Sequence, residues 1–405
     1  MQSIEELFLQ NTGTFSLLQK KSKERSQELG YPHQVKTQLP YMPLHRLARA
    51  YDPVLQEDWQ SYIVPECAHS YLVVIDGIWR KELSCVTAIS QVRVLSLQEA
   101  WKGSYASWLS YRTEQWIKEE EDPFVLLNGL HVQDGLFLYV PPRIQIETPV
   151  QILFIQHQAC YVRPRVHLFL GAHAHMTCFT RLMPHQLFNG VFDIALEEGA
   201  CCSLVRDQHI QRGSIASRSS LKKESRLNML LCNKGGEAVQ EEEKILLLGK
   251  EATATLQSIA IVSDHQQAHL SVSMEHRAPH TYSHQLVKHV LSDFAKTSFT
   301  GKIVIDQEAQ KAEAYQLHNS LLLSDDGAMA ASKPSLKIFA DDVKASHGST
   351  VSQVDQEQLS YLQSRGIAKK TAHALLVKGF YRDVLDKIPI PSLASTLLLK
   401  CIFLY

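Results

Sequence analysis

Cysteine is scarce in this chain and is never arranged to grip anything. The 8 Cys are spread over 405 residues as Cys67, Cys85, Cys160, Cys178, Cys201, Cys202, Cys232 and Cys401, with no Cys-x-x-Cys pair. That excludes a thiolate zinc ribbon and a small disulfide framework. The adjacent Cys201 and Cys202 would point to opposite faces of a strand. Excess charge of one sign is also missing: 41 Lys+Arg stand against 42 Asp+Glu, for a net charge of −1. A dedicated nucleic-acid binder usually carries a basic excess. No apolar run is long enough to cross a bilayer. The nearest, Leu393 to Tyr405, contains Lys400 and reads as a packed terminal element. The start, Met1-Gln2-Ser3-Ile4-Glu5-Glu6-Leu7-Phe8, lacks a basic segment followed by an apolar one, so no signal peptide is expected. Reduced thiols and a cytoplasmic location follow as expectations. No Gly-x-Ser-x-Gly elbow, phosphate loop or dinucleotide fingerprint is present.

What is present is globular. Hydrophobic residues make up 45% and charged residues 20%, and the length suggests two or three domains. Residues 1 to about 120 read as mainly helical with Pro-rich breaks. Ile4, Leu7 and Phe8 fall at helical spacing, Lys21 to Leu29 forms a polar helix, and Thr37 to Pro53 is extended loop. A strand is expected from Tyr71 to Ile75, and one helix from Glu99 to Lys118. From Phe124 to about Phe339 short apolar strands dominate, such as Gln151 to Ile155 and His167 to Leu170. Turn signals recur between them, often Gly followed closely by Ala, at irregular intervals that make a weak internal repeat. Only Pro164, Pro184 and Pro279 fall between Gln151 and Lys333, which suits long ladders. So much strand needs closure or coiling, and a parallel β-helix, a double sandwich and a barrel all qualify. The period then changes. Asp355 and Gln358 resemble a capping box, Gly366 stops the helix they open, and Ala368 to Lys378 and Phe380 to Ile388 are two further helices ended by Pro389 and Pro391.

The 19 His supply the candidate ligands. His173-Ala174-His175 on a strand would put two imidazoles on one face, as in the cupin family, although the downstream carboxylate of that family is missing. A metal-dependent β-fold enzyme using His173 and His175 is the alternative reading. His276, His280 and His284 recur every four residues, with His289 beyond. Pro279 disfavours a helix there, and in one strand the even spacing would align them. His265 and His269 form a similar, weaker group. The two helices around Gly366 could be read as a helix-turn-helix, but Asp355, Glu357, Asp383 and Asp386 offset Lys369, Lys370 and Lys378.

Between His276 and Arg382 several motifs follow one another in a distinctive order. They are Phe299-Thr300-Gly301-Lys302-Ile303-Val304-Ile305, Ala312 to Leu323, Lys333-Pro334-Ser335-Leu336-Lys337-Ile338-Phe339-Ala340-Asp341-Asp342-Val343, Ser346-His347-Gly348-Ser349-Thr350-Val351 and Tyr361-Leu362-Gln363-Ser364-Arg365-Gly366-Ile367. This stretch resembles the SufB/SufD family of iron–sulfur cluster assembly proteins. Weaker agreement extends through Leu126 to Pro141. SufB-like members carry a sulfur-receiving Cys in the segment that here reads Gln316-Leu317-His318-Asn319-Ser320, without one. The chain therefore resembles the branch that pairs with SufB.

The resemblance implies a mainly β fold with helical ends. A right-handed parallel β-helix core (123–345) would lie between an N-terminal mainly helical domain (1–122) and a C-terminal helical domain (346–405). It implies a non-catalytic scaffold that pairs with SufB through the β-helix, and a homodimer is an option for the isolated chain. It also implies docking of the SufC ATPase on the C-terminal helices, where Leu359, Tyr361, Leu362, Arg365, Gly366 and Phe380 are the candidates. His347 is the implied iron or cluster ligand at the SufB interface, with the remaining ligands from SufB. The cluster or iron would be transient, with no cofactor held tightly by the isolated subunit. Neither nucleic acid nor membrane is an implied partner. Ala345 stands where family members often have a Cys two residues before that His.

Overall fold

The computed structural model describes residues 15–31, 58–157, 161–185, 187–324 and 327–402. The expected helical spacing of Ile4, Leu7 and Phe8 and the loop from Thr37 to Pro53 lie outside the described residues.

Successive strands from Gly135 onward alternate between two sheets. In each sheet a strand pairs in parallel with the strand two places later. The result is a parallel β-solenoid of about seven turns, one wall having ten strands and the other nine. Of the three arrangements open to the sequence pattern, the β-helix is the one adopted. The step between stacked strands is 25 residues from Cys201 to Arg226 but 33 from Lys296 to Met329. Corners of varying length blur the repeat while the strands stay in register.

One corner is itself a ladder. Arg143, His173, Gly199, Glu224, Glu251, His280 and Lys311 have φ between 57° and 65°. Their backbone N–H groups each donate to a carbonyl of the next turn, for example His173 to Glu198, Glu224 to Lys250 and His280 to Gln310. The left-handed conformation costs a non-glycine residue roughly 1–2 kcal/mol, and the ladder overrides it. After six of these seven corners the next residue is small and buried, Ala174, Ala200, Ser225, Ala252, Thr281 and Ala312, while after Arg143 it is the half-buried Ile144. The Gly199-Ala200 signal and the one from Gly249 to Ala252 arise at these corners.

Inside the solenoid the period of two is strict. On the strand Arg226–Asn233, Leu227, Met229 and Leu231 join the interior core, while Leu230 and Cys232 face outward into a second core. Cys202 likewise points inward and Cys201 outward. The middle turns also bury an ion pair, Arg206 Nη1 to Glu243 Oε1 at 2.6 Å, beside Gln208 to Glu241 at 2.6 Å.

Helices α1 (Ser16–Glu28), α2 (Leu97–Lys102), α3 (Ala106–Lys118) and α4 (Pro123–His131) share a core with Phe137 at the first turn. The single helix expected from Glu99 to Lys118 is two, because the chain extends at Gly103. The described part of this region also holds three strands, Tyr71–Ile75, Ile78–Cys85 and Arg93–Ser96, so it is less helical than its composition implied. Asp122 caps α4 by accepting from the N–H of Phe124 and Val125, with Pro123 in the first turn.

At the other terminus come α5 (Gln356–Ser364), α6 (Lys369–Leu385) and α7 (Pro391–Ile402). Asp355 caps α5, accepting from the N–H of Glu357 and Gln358, but Gln358 returns no bond to the Asp355 N–H, so only half of the expected capping box forms. Gly366, at φ +84°, ends it with Ile367 N–H donating to Leu362 O and Gly366 N–H to Gln363 O, a Schellman pair. The two helices expected over 368–388 are one. Gly379 lies in its interior, where an added Cβ would meet nothing within 4 Å beyond the helix itself. Pro391 opens α7 rather than ending a helix, since the first turn needs no N–H from it. Helix α6 lies along the outer face of the ten-stranded wall, Val377, Tyr381 and Val384 packing with Val205, Leu230, Ile259 and Leu286. Lys288 Nζ fastens it, 2.8 Å from both Asp383 oxygens and 2.6 Å from Phe380 O.

Candidate functional site

The solenoid stops abruptly. Its last strands, Met329–Ile338 and Lys344–Gln353, are the outermost of their sheets. Unpaired edges are templates for another strand. Met329, Ile338, Phe339 and Val351 are all exposed there, Phe339 to 63%. Lys333, Lys337 and Lys344 stand among them and are exposed, a common guard against promiscuous pairing.

His347 lies on this rim. Its register partner is Gln316, and the row continues inward through Gln285 and Leu256 to Met229 and Leu204. The deep members belong to the interior core, so His347 stands at the mouth of the lumen. It is exposed, and among the described residues no side chain bonds to its ring. Ala345, two residues earlier, stacks on Ala314 and packs against the core. A sulfur atom there would also face inward.

The lumen changes character as it nears this mouth. Gln285 and Gln316 are buried, and neither amide has a hydrogen-bond partner. Gly301 makes room for Gln316, since a Cβ there would lie 2.0 Å from Nε2. His289 and His318 are buried side by side, His318 Nε2 being 3.2 Å from His289 Nδ1 and 3.1 Å from Ser320 Oγ. The Ser349 hydroxyl meets His318 Nδ1 at 3.3 Å. Burial pushes His318 down to about 4 and holds His289 well below its ordinary value, so both rings are neutral at physiological pH. This polar row is a feature the sequence reading missed. Its signal was a period of two in Gln316, His318 and Ser320, legible once the register places it above Gln285 and His289.

The other candidates separate. His173 is a left-handed corner residue and the strand begins at His175, so the two do not share a strand face. The cupin-like site is therefore not formed. His276 ends one strand, bonded to Thr281 Oγ1 at 2.7 Å and Ser283 Oγ at 2.8 Å, while His280 is a corner and His284 lies on the next strand. A turn interrupts the even spacing. His269 meets Ser298 Oγ at 2.8 Å, and His265 stacks on Phe294. Among the described residues no three His, Cys, Asp or Glu side chains converge as a metal site.

On the C-terminal helices, Tyr361 is 58% exposed and Arg365 lies over its ring, with Nη2 3.1 Å from the hydroxyl. Tyr361, Leu362, Glu357, Gln358 and Leu376 line an open groove of about 360 Å³ between α5 and α6. Leu359 is buried, and Phe380 is half-buried with Lys288 Nζ over its ring, so these two serve the packing of the helices.

A parallel β-solenoid closed at one end and ending in bare edge strands at the other is the class of protein this architecture defines, and comparison with known proteins gives the family. The family model described as SUF system FeS cluster assembly, SufBD core domain, matches residues 153–380, and the SufBD N-terminal region matches 45–152. The chain belongs to the SufBD family, which functions in iron–sulfur cluster assembly. It is 29% identical over 367 residues to a SufBD family protein of Synechocystis, covering 84% of this chain and 78% of that one. It is 27% identical to the SufD of Bacillus subtilis (71% and 68% covered) and 23% identical to the SufB of the same organism (86% and 78%). No helix among the described residues is long and apolar enough to cross a membrane.

Proposed function

We propose that this chain is the SufD-type scaffold of a cytoplasmic SufB–SufC–SufD assembly and performs no catalysis itself. The observation that carries the reading is the bare end of the solenoid: two unpaired edge strands with exposed apolar side chains and His347 at the mouth between them. A second solenoid, that of SufB, would continue the sheets and cover the rim. His347 would then contribute one imidazole nitrogen to iron or a nascent cluster. SufB would supply the other ligands, since one His cannot hold a cluster alone. The groove by Tyr361 and Leu362 is the docking surface for SufC. ATP-driven closure of SufC would pull on α5 and α6 and, through the Lys288–Asp383 tie, on the wall that ends at His347.

The test is co-expression with SufB and SufC. Deleting residues 355–390 should abolish SufC capture, and retained capture would refute the docking site. His347→Ala should leave the complex intact and reduce cluster maturation in cells. Unchanged maturation would remove the role given to that ring.

A further inference from the structure

The imidazole pair below the rim has no part in that reading. His289 Nδ1 and His318 Nε2 face each other at 3.2 Å, with the Ser320 hydroxyl 3.1 Å from the latter. Two nitrogens bound to one tetrahedral ion at about 2.1 Å would lie roughly 3.4 Å apart. The observed separation is close to that of two ligands of a single ion. On the same two strands Gln285 and Gln316 leave both ends of both amides without partners. Buried groups of this kind are rarely left dry. Water in the lumen would satisfy them and could also complete a coordination shell.

We propose that His289, His318 and Ser320 form a binding site for a divalent transition cation of the Fe²⁺ or Zn²⁺ class, completed by water in the lumen. No proton need be released. His318 keeps its hydrogen on Nδ1, toward Ser349 Oγ at 3.3 Å, and His289 keeps its own on Nε2. The two facing nitrogens then turn their lone pairs to the ion in place of the hydrogen bonds they make with each other and with the Ser320 hydroxyl. With no carboxylate among the ligands the cation's charge is left uncompensated, so the site exchanges its metal rather than retaining it. The site uses this chain alone and stands or falls without SufB.

The experiment takes the full-length chain, stripped of metal, and titrates it with Co²⁺ while following the visible ligand-field absorption. One saturable equivalent is expected. The band should vanish in His289→Gln and in His318→Gln, and persist in His347→Ala. No saturable band in the wild type would overturn the proposal, as would a band that survives the double variant. A band lost with His347→Ala would also overturn it, by moving the metal to the rim. Should the Gln variants unfold, the wild type decides: Co²⁺ must broaden the ring resonances of His289 and His318 before those of other His, and broadening confined to His347 refutes the site.

Discussion

The two ends of the solenoid differ in how they are finished. At the first end each wall gains an antiparallel strand, Ile78–Cys85 on one and Arg93–Ser96 on the other, and helices α1 to α4 pack around the opening turns. The interior there is hydrocarbon, with Leu136, Leu138, Ile152, Phe154 and Leu168. At the last end both walls stop in parallel edge strands, apolar side chains lie exposed, and the lumen is lined by Gln285, His289, Gln316, His318 and Ser320. One end is sealed by the chain itself. The other is left bare by the described residues, and its interior is polar.

Mutation can break or sharpen this contrast. The largest effect is expected midway, at the buried ion pair. Arg206→Ala would strand Glu243 in the interior and should cost about 3–5 kcal/mol in denaturant unfolding. Next comes the apolar part of the row that ends at His347: Leu256→Ala should cost about 2–5 kcal/mol by leaving a cavity.

A pH effect follows in size. Burial, opposed by Arg206, raises the Glu241 carboxyl from 4.5 to about 7. The folded state then holds a proton that the unfolded state has released. Stability from this group is full below about pH 4 and is lost as pH rises toward 7. The expected loss is on the order of 2–3 kcal/mol, and Glu241→Gln should flatten the profile of unfolding midpoint against pH. A slope unchanged by the substitution would mean that another group titrates.

Farther along the row, Gln316→Leu should stabilise the isolated chain or leave it within about 1 kcal/mol, because it removes unpartnered amide atoms. A large destabilisation instead would show the polar lumen to be a structural network like that around Arg206. The smallest effect is expected at the rim. Phe339→Ser should change stability by less than about 0.5 kcal/mol yet weaken co-purification with SufB.

Local chemistry was legible where it depends on neighbours in the chain. Asp355 and Gly366 bound α5 as their residue types require, and the opposed faces of Cys201 and Cys202 follow from the pleat. Gly379 and Pro391 misled, because a glycine can be carried inside a packed helix and a proline is at home in a first turn. The histidines misled more. His173 and His280 are corner residues whose N–H groups donate to carbonyls of the next turn; Gly171 and Pro279 mark a break beside them, but nothing nearby identifies the partner 25 residues or more away.

The sequence by itself determined the strands, their inward and outward faces, the terminal helices and, through its resemblance, the family. Only the tertiary structure decided which residues stand in one row. The corners vary in length, so register comes from hydrogen bonds between turns rather than from spacing along the chain. That register sets Gln285, Gln316 and His347 above one another and brings His289 against His318, at the one end of the solenoid that the described residues leave open.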